Sequence, residues 1–356
     1  MANERTTGGR PVGRGAPAFL LAVLLAVLLV VPAAGCAARQ KTRPAPRQAS
    51  QRTYLDQPVL DFRRGGTGLP VPAAALPPSR EDFVSQLLRA YAARLVLPRA
   101  SADDGPKVIV ADGAYPRLST LHVDVSGARA RKDYKPKQTK TEAEHVARLR
   151  TELWVSDFAY VAEPLRYEHG EMHLRLTGRD AAFGLVKEPD GSGTLVMIDA
   201  AEGEMVLSAK VQDLRAMLLG GAKNHAKGGF WVRDVDLAIT SDQPRAVEIA
   251  LRVKAMWTLL PMTFRLGGRI AVDEEFNAHL TGVFCAGEDP GGMLVAAMVG
   301  PDMRKEEGRI RPLARWPNDR IELKDVSLTG GERLRLAVKF GRAAGIASAR
   351  PIHIAD

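Results

Sequence analysis

Apolar and polar positions divide the chain into three stretches of different pattern. Ala18 to Val31 is an unbroken apolar run. From Ala37 to Ser79 no amphipathic period of useful length appears, and Pro44, Pro46, Pro58, Pro70, Pro72, Pro77 and Pro78 interrupt the chain repeatedly. From Ser79 onward the pattern is periodic. Ser79 with Asp82 approximates a capping box, and Phe83, Leu87, Leu88, Tyr91 and Leu95 come after it at helical spacing. A helix is therefore predicted over 80–97, with Pro98 as its stop. Leu121, Val123 and Val125 then alternate with His122, Asp124 and Ser126, the period of a half-buried strand.

Most of the chain beyond Ser126 predicts strands broken by turns. Segments 149–162, 172–187, 194–200 and 204–211 have strand character, with His169-Gly170, Asp190-Gly191 and Glu202-Gly203 as hairpin signals. Residues 211–226 predict a helix with Leu214, Met217, Leu218 and Ala222 on one face. Strands resume over 231–240, 245–256, 262–272 and 276–285, turning at Ser241 to Pro244 and at Asp273-Glu274-Glu275. A second apolar helix covers 290–306, kinked at Pro301. Two last strands, 319–328 and 332–340, join at Gly330-Gly331. The fold class is α+β, long antiparallel hairpins with a few helices laid against them. No parallel βαβ pattern is visible, which argues against a dinucleotide-binding fold.

The first two stretches place the protein. Fourteen apolar residues from Ala18 to Val31 make about 21 Å of helix, short of the roughly 30 Å hydrocarbon core. Arg10 and Arg14 precede the run and small residues come after it, the pattern of a secretory signal over 1–35. Ala33-Ala34-Gly35-Cys36 resembles the bacterial lipobox, in which cleavage before the cysteine leaves it carrying fatty acyl chains such as palmitate. The alternatives are an ordinary signal peptide, or an uncleaved anchor, with Cys36 incidental. Two or three acyl chains anchor stably where one is marginal. Ala37 after the cysteine resembles lipoproteins sorted to the outer membrane, which predicts the periplasmic face of that membrane in a two-membraned host. Residues 36–79 are then a lipidated cysteine and a Pro/Arg-rich linker, 80–342 a folded domain and 343–356 a C-terminal tail.

Charge sharpens this division. The chain of 356 residues carries +9, and removing residues 1–35 leaves +7. Residues 37–66 hold +5 of that, so the body from 67 onward is only about +2. A near-neutral body on a basic tether argues against a nucleic-acid partner, whose footprint would sit on the fold itself. Within the body one basic cluster stands out: Arg129, Arg131, Lys132, Lys135, Lys137 and Lys140 against only Asp133. It is either a flexible exposed loop or a contact for anionic headgroups.

The sequence carries none of the common catalytic signatures. There is no phosphate-binding loop, no Gly-x-Gly-x-x-Gly after a strand, no Gly-x-Ser-x-Gly elbow and no Cys-x-x-Cys. His169 and His173 would lie roughly 13 Å apart on a strand, too far to share a metal. Asp273-Glu274-Glu275 is most simply a solvated hairpin tip. Cys285 ends an apolar strand and behaves as a buried inert thiol. The chain is accordingly expected to be no enzyme and to need no cofactor or metal. Methionine is unevenly spread, eight of ten lying between Met197 and Met303, which suits an adaptable apolar groove as well as ordinary packing.

The order of elements resembles the LmeA-like phospholipid-binding family. The resemblance rests on helix 80–97, on Leu118-Ser119-Thr120-Leu121-His122-Val123-Asp124-Val125, and on Ala209-Lys210-Val211-Gln212-Asp213-Leu214 opening a helix. It continues through the strands of 231–285, the small-residue helix Gly291–Gly300 and the closing Leu323-Lys324-Asp325-Val326-Ser327-Leu328. It covers roughly 80–341; the stretch 129–148 is an insertion relative to it, and a lipidated anchor with a long spacer is not its usual N-terminus. The resemblance implies a tubular lipid-binding (TULIP-like) fold, in which a long curved antiparallel sheet wraps helices and encloses an acyl-chain groove. Leu214, Met217, Leu218, Leu294, Ala297 and Met298 are then expected to line that groove, unless they close a dry core. The implied function is non-catalytic binding of phospholipid or a similar amphiphile by an anchored envelope lipoprotein. The alternative is a scaffold or accessory lipoprotein of an envelope complex, with no lipid cavity.

Overall fold

The structure is a computed structural model and describes residues 60–61, 69–72, 75–98, 108–131, 149–187, 191–224, 230–316 and 319–347. The first half contains β1 (Leu60–Asp61), β2 (Leu69–Val71), α1 (Arg80–Arg94), β3 (Leu95–Val96), β4 (Ile109–Asp112), β5 (Arg117–Asp124), β6 (Arg129–Ala130), β7 (Leu153–Arg166), β8 (Glu171–Lys187), β9 (Gly193–Asp199) and β10 (Glu202–Lys210). The second half contains α2 (Val211–Asn224), β11 (Phe230–Gln243), β12 (Ala246–Trp257), β13 (Leu260–Val272), β14 (Asn277–Gly287), α3 (Pro290–Arg304), β15 (Ile310–Pro312), β16 (Ala314–Arg315), β17 (Ile321–Thr329) and β18 (Arg333–Arg342). The class is α+β. The strands form two open sheets, one of eleven strands along β17-β18-β10-β8-β7-β5-β4 and one of five in the order β11-β12-β13-β14-β15, with β1 and β16 paired separately.

Helix α1 forms as its pattern predicts. The Ser79 hydroxyl accepts a hydrogen bond from the Asp82 N–H at 3.1 Å, and Phe83, Leu87 and Tyr91 are buried at four-residue spacing. The helix ends at Arg94, short of the predicted 97, because Leu95 and Val96 leave it to pair with Ala130 and Arg129. Leu88, placed on the buried stripe by its spacing, is 41% exposed. Arg131 completes the C-terminus: its Nε donates to the Ala92 carbonyl at 3.0 Å and its backbone N–H to the Arg94 carbonyl at 3.1 Å.

Three features depart from the antiparallel, linker-then-domain expectation. β5 lies parallel to β7, with Arg117 opposite Trp154 and Asp124 opposite Val161. Parallel neighbours need a crossover, and the chain between Asp124 and Leu153, which includes β6, supplies it. Residues 69–71, expected in the spacer, pair with β9, and Leu69 and Val71 are 1% exposed, so the fold includes part of the Pro-rich stretch. Glu202-Gly203, expected as a turn, opens β10 instead. A Cβ on Gly203 would sit 2.4 Å from the Phe340 ring, so this glycine serves close packing.

The two sheets meet over one continuous apolar core. Arg245 ties them: its Nε donates to the Val326 carbonyl at 3.1 Å, and its guanidinium bonds the Asp325 carboxylate at 3.0 Å. The Leu328 N–H donates to the Pro244 carbonyl at 2.7 Å beside it. Each helix has its own seat. α1 packs on β2, β3 and β4; α2 runs along β11 and touches β10 and β8; α3 lies along β13 and β14.

Candidate functional site

Apolar exposure is concentrated at one place. Seven of the twelve exposed large apolar side chains among the described residues belong to α3, to the adjoining ends of β11, β12 and β13, or to the connection between β12 and β13. That region is therefore the candidate site.

Helix α3 begins where the Asp289 carboxylate accepts from the Gly292 N–H at 2.6 Å, with Pro290 in the first turn. Its approach to the sheet is unusually close. A Cβ on Gly292 would lie 1.9 Å from the Thr263 carbonyl oxygen, and one on Gly291 2.5 Å from that of Pro261. Across the contact, a Cβ on Gly287 would lie 2.0 Å from the Met293 nitrogen. The buried face of α3 consists of Gly291, Gly292, Val299, Gly300 and Met303. With glycine occupying three of these five positions, three large apolar side chains are left on the outer side. Met293 is 58% exposed, Leu294 45% and Met298 57%, with Ala297 exposed between them. A helix normally puts its apolar stripe against the core; α3 shows one to solvent.

The hairpin of β12 and β13 continues this surface. Trp257 pairs with Leu260 across a two-residue connection, Thr258-Leu259, and Leu259 is 85% exposed. The Leu260 side chain reaches the start of α3, its Cγ 3.3 Å from the Cβ position of Gly291. Trp231, on the neighbouring strand opposite Met256, is also exposed.

The six residues expected to line one groove fall into two groups. Leu214 is buried, and Met217 and Leu218 pack half-buried against the core from α2. Leu294, Ala297 and Met298 stand outward on α3. The strands that seat the two helices, β11 and β14, have two strands between them, roughly 14 Å across. Two surface pockets lie elsewhere. One of about 380 Å³ sits between Arg80, Val84 and Ile109; another of about 390 Å³ sits beside Phe276, Trp316 and Leu323. Of the basic cluster, Arg129 lies on β6 and Arg131 is engaged with the C-terminus of α1. Lys132, Lys135, Lys137, Lys140 and the lipidation candidate Cys36 lie outside the described residues.

Titratable groups are held in structural clusters. Asp199, 1% exposed, takes Arg342 Nε at 3.0 Å and has Arg320 at 3.9 Å. Glu306 is bound by Arg309 and Arg311, fastening the end of α3 to β15. Asp273 lies 2.6 Å from His279 Nε2 and accepts from the Asn277 N–H at 2.7 Å. Burial opposes ionisation of the Asp273 carboxyl, but the hydrogen bonds from His279 and Asn277 outweigh it and hold its pKa below the usual carboxylate value. Burial pushes the Cys285 thiol up, and the Tyr115 and Tyr167 hydroxyls to about 12. The His169 ring packs against Gly220 of α2, and among the described residues no three His, Cys, Asp or Glu side chains converge as metal ligands.

The sequence reading missed Trp231, Trp257, Leu259 and Leu260, and placed Met293 on the apolar helix without counting it among the lining residues. The signal for Trp257, Leu259 and Leu260 was an apolar connection, Trp257-Thr258-Leu259-Leu260, where hairpin turns favour Gly, Asn and Asp. Among the described residues no helix is long and apolar enough to cross a membrane. Comparison with known proteins yields no matching family model, no matching curated protein and no matching solved structure.

Proposed function

We propose that this chain is an envelope lipoprotein, anchored through an acylated Cys36, whose domain binds phospholipid or a similar amphiphile without catalysing a reaction. The observation that carries the reading is the outward apolar face of α3, with Met293, Leu294 and Met298 each close to half exposed or more. An acyl chain laid along that face gains about 0.8 kcal/mol for each CH₂ removed from water. Methionine suits such contacts because its flexible thioether adapts to chains of different length and unsaturation. The reading takes its fold from the resemblance to the LmeA-like family and the TULIP-like fold, and the long antiparallel hairpins with three helices among the described residues agree with that layout. On this reading the α3 half of the expected lining contacts the ligand, and Leu214, Met217 and Leu218 of α2 brace the sheet from within.

The chain from Ala37 onward keeps every described element and is the form to test. It is purified under gentle conditions and extracted with organic solvent. Near-stoichiometric co-purifying phospholipid supports the reading and names the ligand class. A clean extract from protein that also takes up no added phospholipid overturns it. The openness of the α3 face favours a second reading, an accessory lipoprotein whose α3 is covered by another envelope protein. That reading predicts the clean extract.

A further inference from the structure

We infer that the β12–β13 hairpin tip is a bilayer-docking element, by which the tethered domain sits end-on against the membrane interface. The inference rests on the proposed function only in placing the protein at a membrane; it assigns the tip, not α3, to the bilayer.

The residues change character abruptly along the hairpin. Far from the tip, the outer face of the five-stranded sheet is charged and cross-linked. Arg252 and Arg265 share Glu288, and Arg215 and Lys254 share Asp234. The next row on that face is apolar, Trp231 opposite Met256 opposite Pro261. Beyond it lie Trp257 and Leu260, then Leu259 at the apex. Lys254 is three residues from Trp257, roughly 10 Å along the strand. Arg233, exposed at the bulge in β11, stands at the same level. From apex to base the order is aliphatic, indole, then a charged belt in which Lys254, paired with Asp234, and Arg233 supply the cations. A bilayer interface presents the complementary order: acyl boundary, headgroup level favoured by Trp, phosphate layer favoured by Lys and Arg.

The connection itself is costly as a turn and well suited to insertion. Its first position, Thr258, has φ of 57°. A β-branched residue is strained there, and hairpin connections usually place glycine at such a position. The second position is leucine, held 85% exposed. A soluble tip would be polar; this one projects its largest aliphatic side chain outward. On the proposed reading, a lipidated Cys36 upstream of β1 holds the domain near the surface the tip would meet.

The chain has four tryptophans, so the tip carries its own reporter. Trp231 and Trp257 flank the apex, while Trp316 is buried at 7% exposure. The full-length acylated chain is reconstituted into phosphatidylcholine vesicles whose acyl chains carry bromine, a contact quencher of indole. The expected result is quenching of a component that Trp257→Phe removes and that Leu259→Asp reduces several-fold. Leu259 is too exposed for that change to disturb folding. In Leu294→Asp/Met298→Asp, which disables the proposed amphiphile face, Trp257 stays quenched, so quenching by a single bound lipid is separated from docking. Trp257 emission untouched by bromolipid but quenched by aqueous acrylamide overturns the proposal. So does protection of Trp257 that appears only when envelope protein is added, which assigns the tip to a protein partner. Quenching with no lipid in the organic extract leaves docking standing and removes the amphiphile reading alone.

Discussion

Helices α1 and α3 are both fifteen residues long, both begin at a capping side chain, and both lie on a sheet, yet they differ in how much of their apolar surface they leave exposed. α1 buries Phe83, Leu87 and Tyr91 and shows Glu81, Asp82, Arg89 and one large apolar residue, Leu88, to water. α3 buries three glycines with only Val299 and Met303 beside them, and shows Met293, Leu294 and Met298. The difference stems from distance to the sheet. α1 stands off far enough for rings to fill the gap, whereas the Thr263 carbonyl comes so near α3 that no side chain fits at Gly292. A helix seated on glycine has its large residues left over, and what they do outside is a question of function.

The contrast is sharpest at the buried positions. Leu87→Ala opens a cavity at a fully buried site and is expected to destabilise by about 2–5 kcal/mol in urea unfolding. Gly292→Ala acts without any cavity. Its methyl would meet backbone, so α3 must lift, and the expected readout is faster hydrogen exchange confined to α3 and the β13–β14 edge. Next in size are the caps, which the two helices share. Ser79→Ala and Asp289→Ala are each expected to cost about 1 kcal/mol, and a much larger loss at one would break the parallel. Smaller still are the outward residues: Leu294→Ala and Met298→Ala are expected to fall within about 0.5 kcal/mol of the parent. A loss of several kcal/mol there would make them core and remove the contrast.

The smallest effect is a pH dependence outside both helices. The folded pKa of Asp273 lies below its unfolded value, because His279 and Asn277 hydrogen-bond the carboxylate against the opposing effect of burial. The ionised form therefore adds stability above the unfolded pKa, and that stability disappears as pH falls through the lower folded pKa. Asp273→Asn is expected to flatten stability against pH below about 4. An unchanged acid slope would show that these hydrogen bonds do not select the ionised form.

Much of the fold was legible in the chain. Strands β11 to β14 and β17 to β18 fall within about three residues of where alternation puts them, because each has one face on the core and one in water. Other features were hidden for physical reasons. The parallel pairing of β5 with β7 depends on where a crossover returns, which local period does not encode. Leu69 and Val71 sit among prolines and glycines that masked a three-residue strand. The termination of α1 is decided by Leu95 and Val96 finding β6, a tertiary event. For the site, spacing found Leu294, Ala297 and Met298 on one face of a helix but not which way that face points. A stripe of Met and Leu opposite a stripe of Gly looks the same whether the helix stands inside a groove or lies on its own backbone. Closeness of approach decides, and only the packed structure shows it.

The central claim is that the outward face of α3 holds an amphiphile. Its most direct test is native mass spectrometry of the chain from Ala37 onward, titrated with phospholipid, beside the Leu294→Asp/Met298→Asp variant. The account predicts a saturable one-to-one lipid adduct on the parent, its loss on the variant, and the same unfolding midpoint for both. Equal lipid occupancy on the two chains, or none on either, would contradict it.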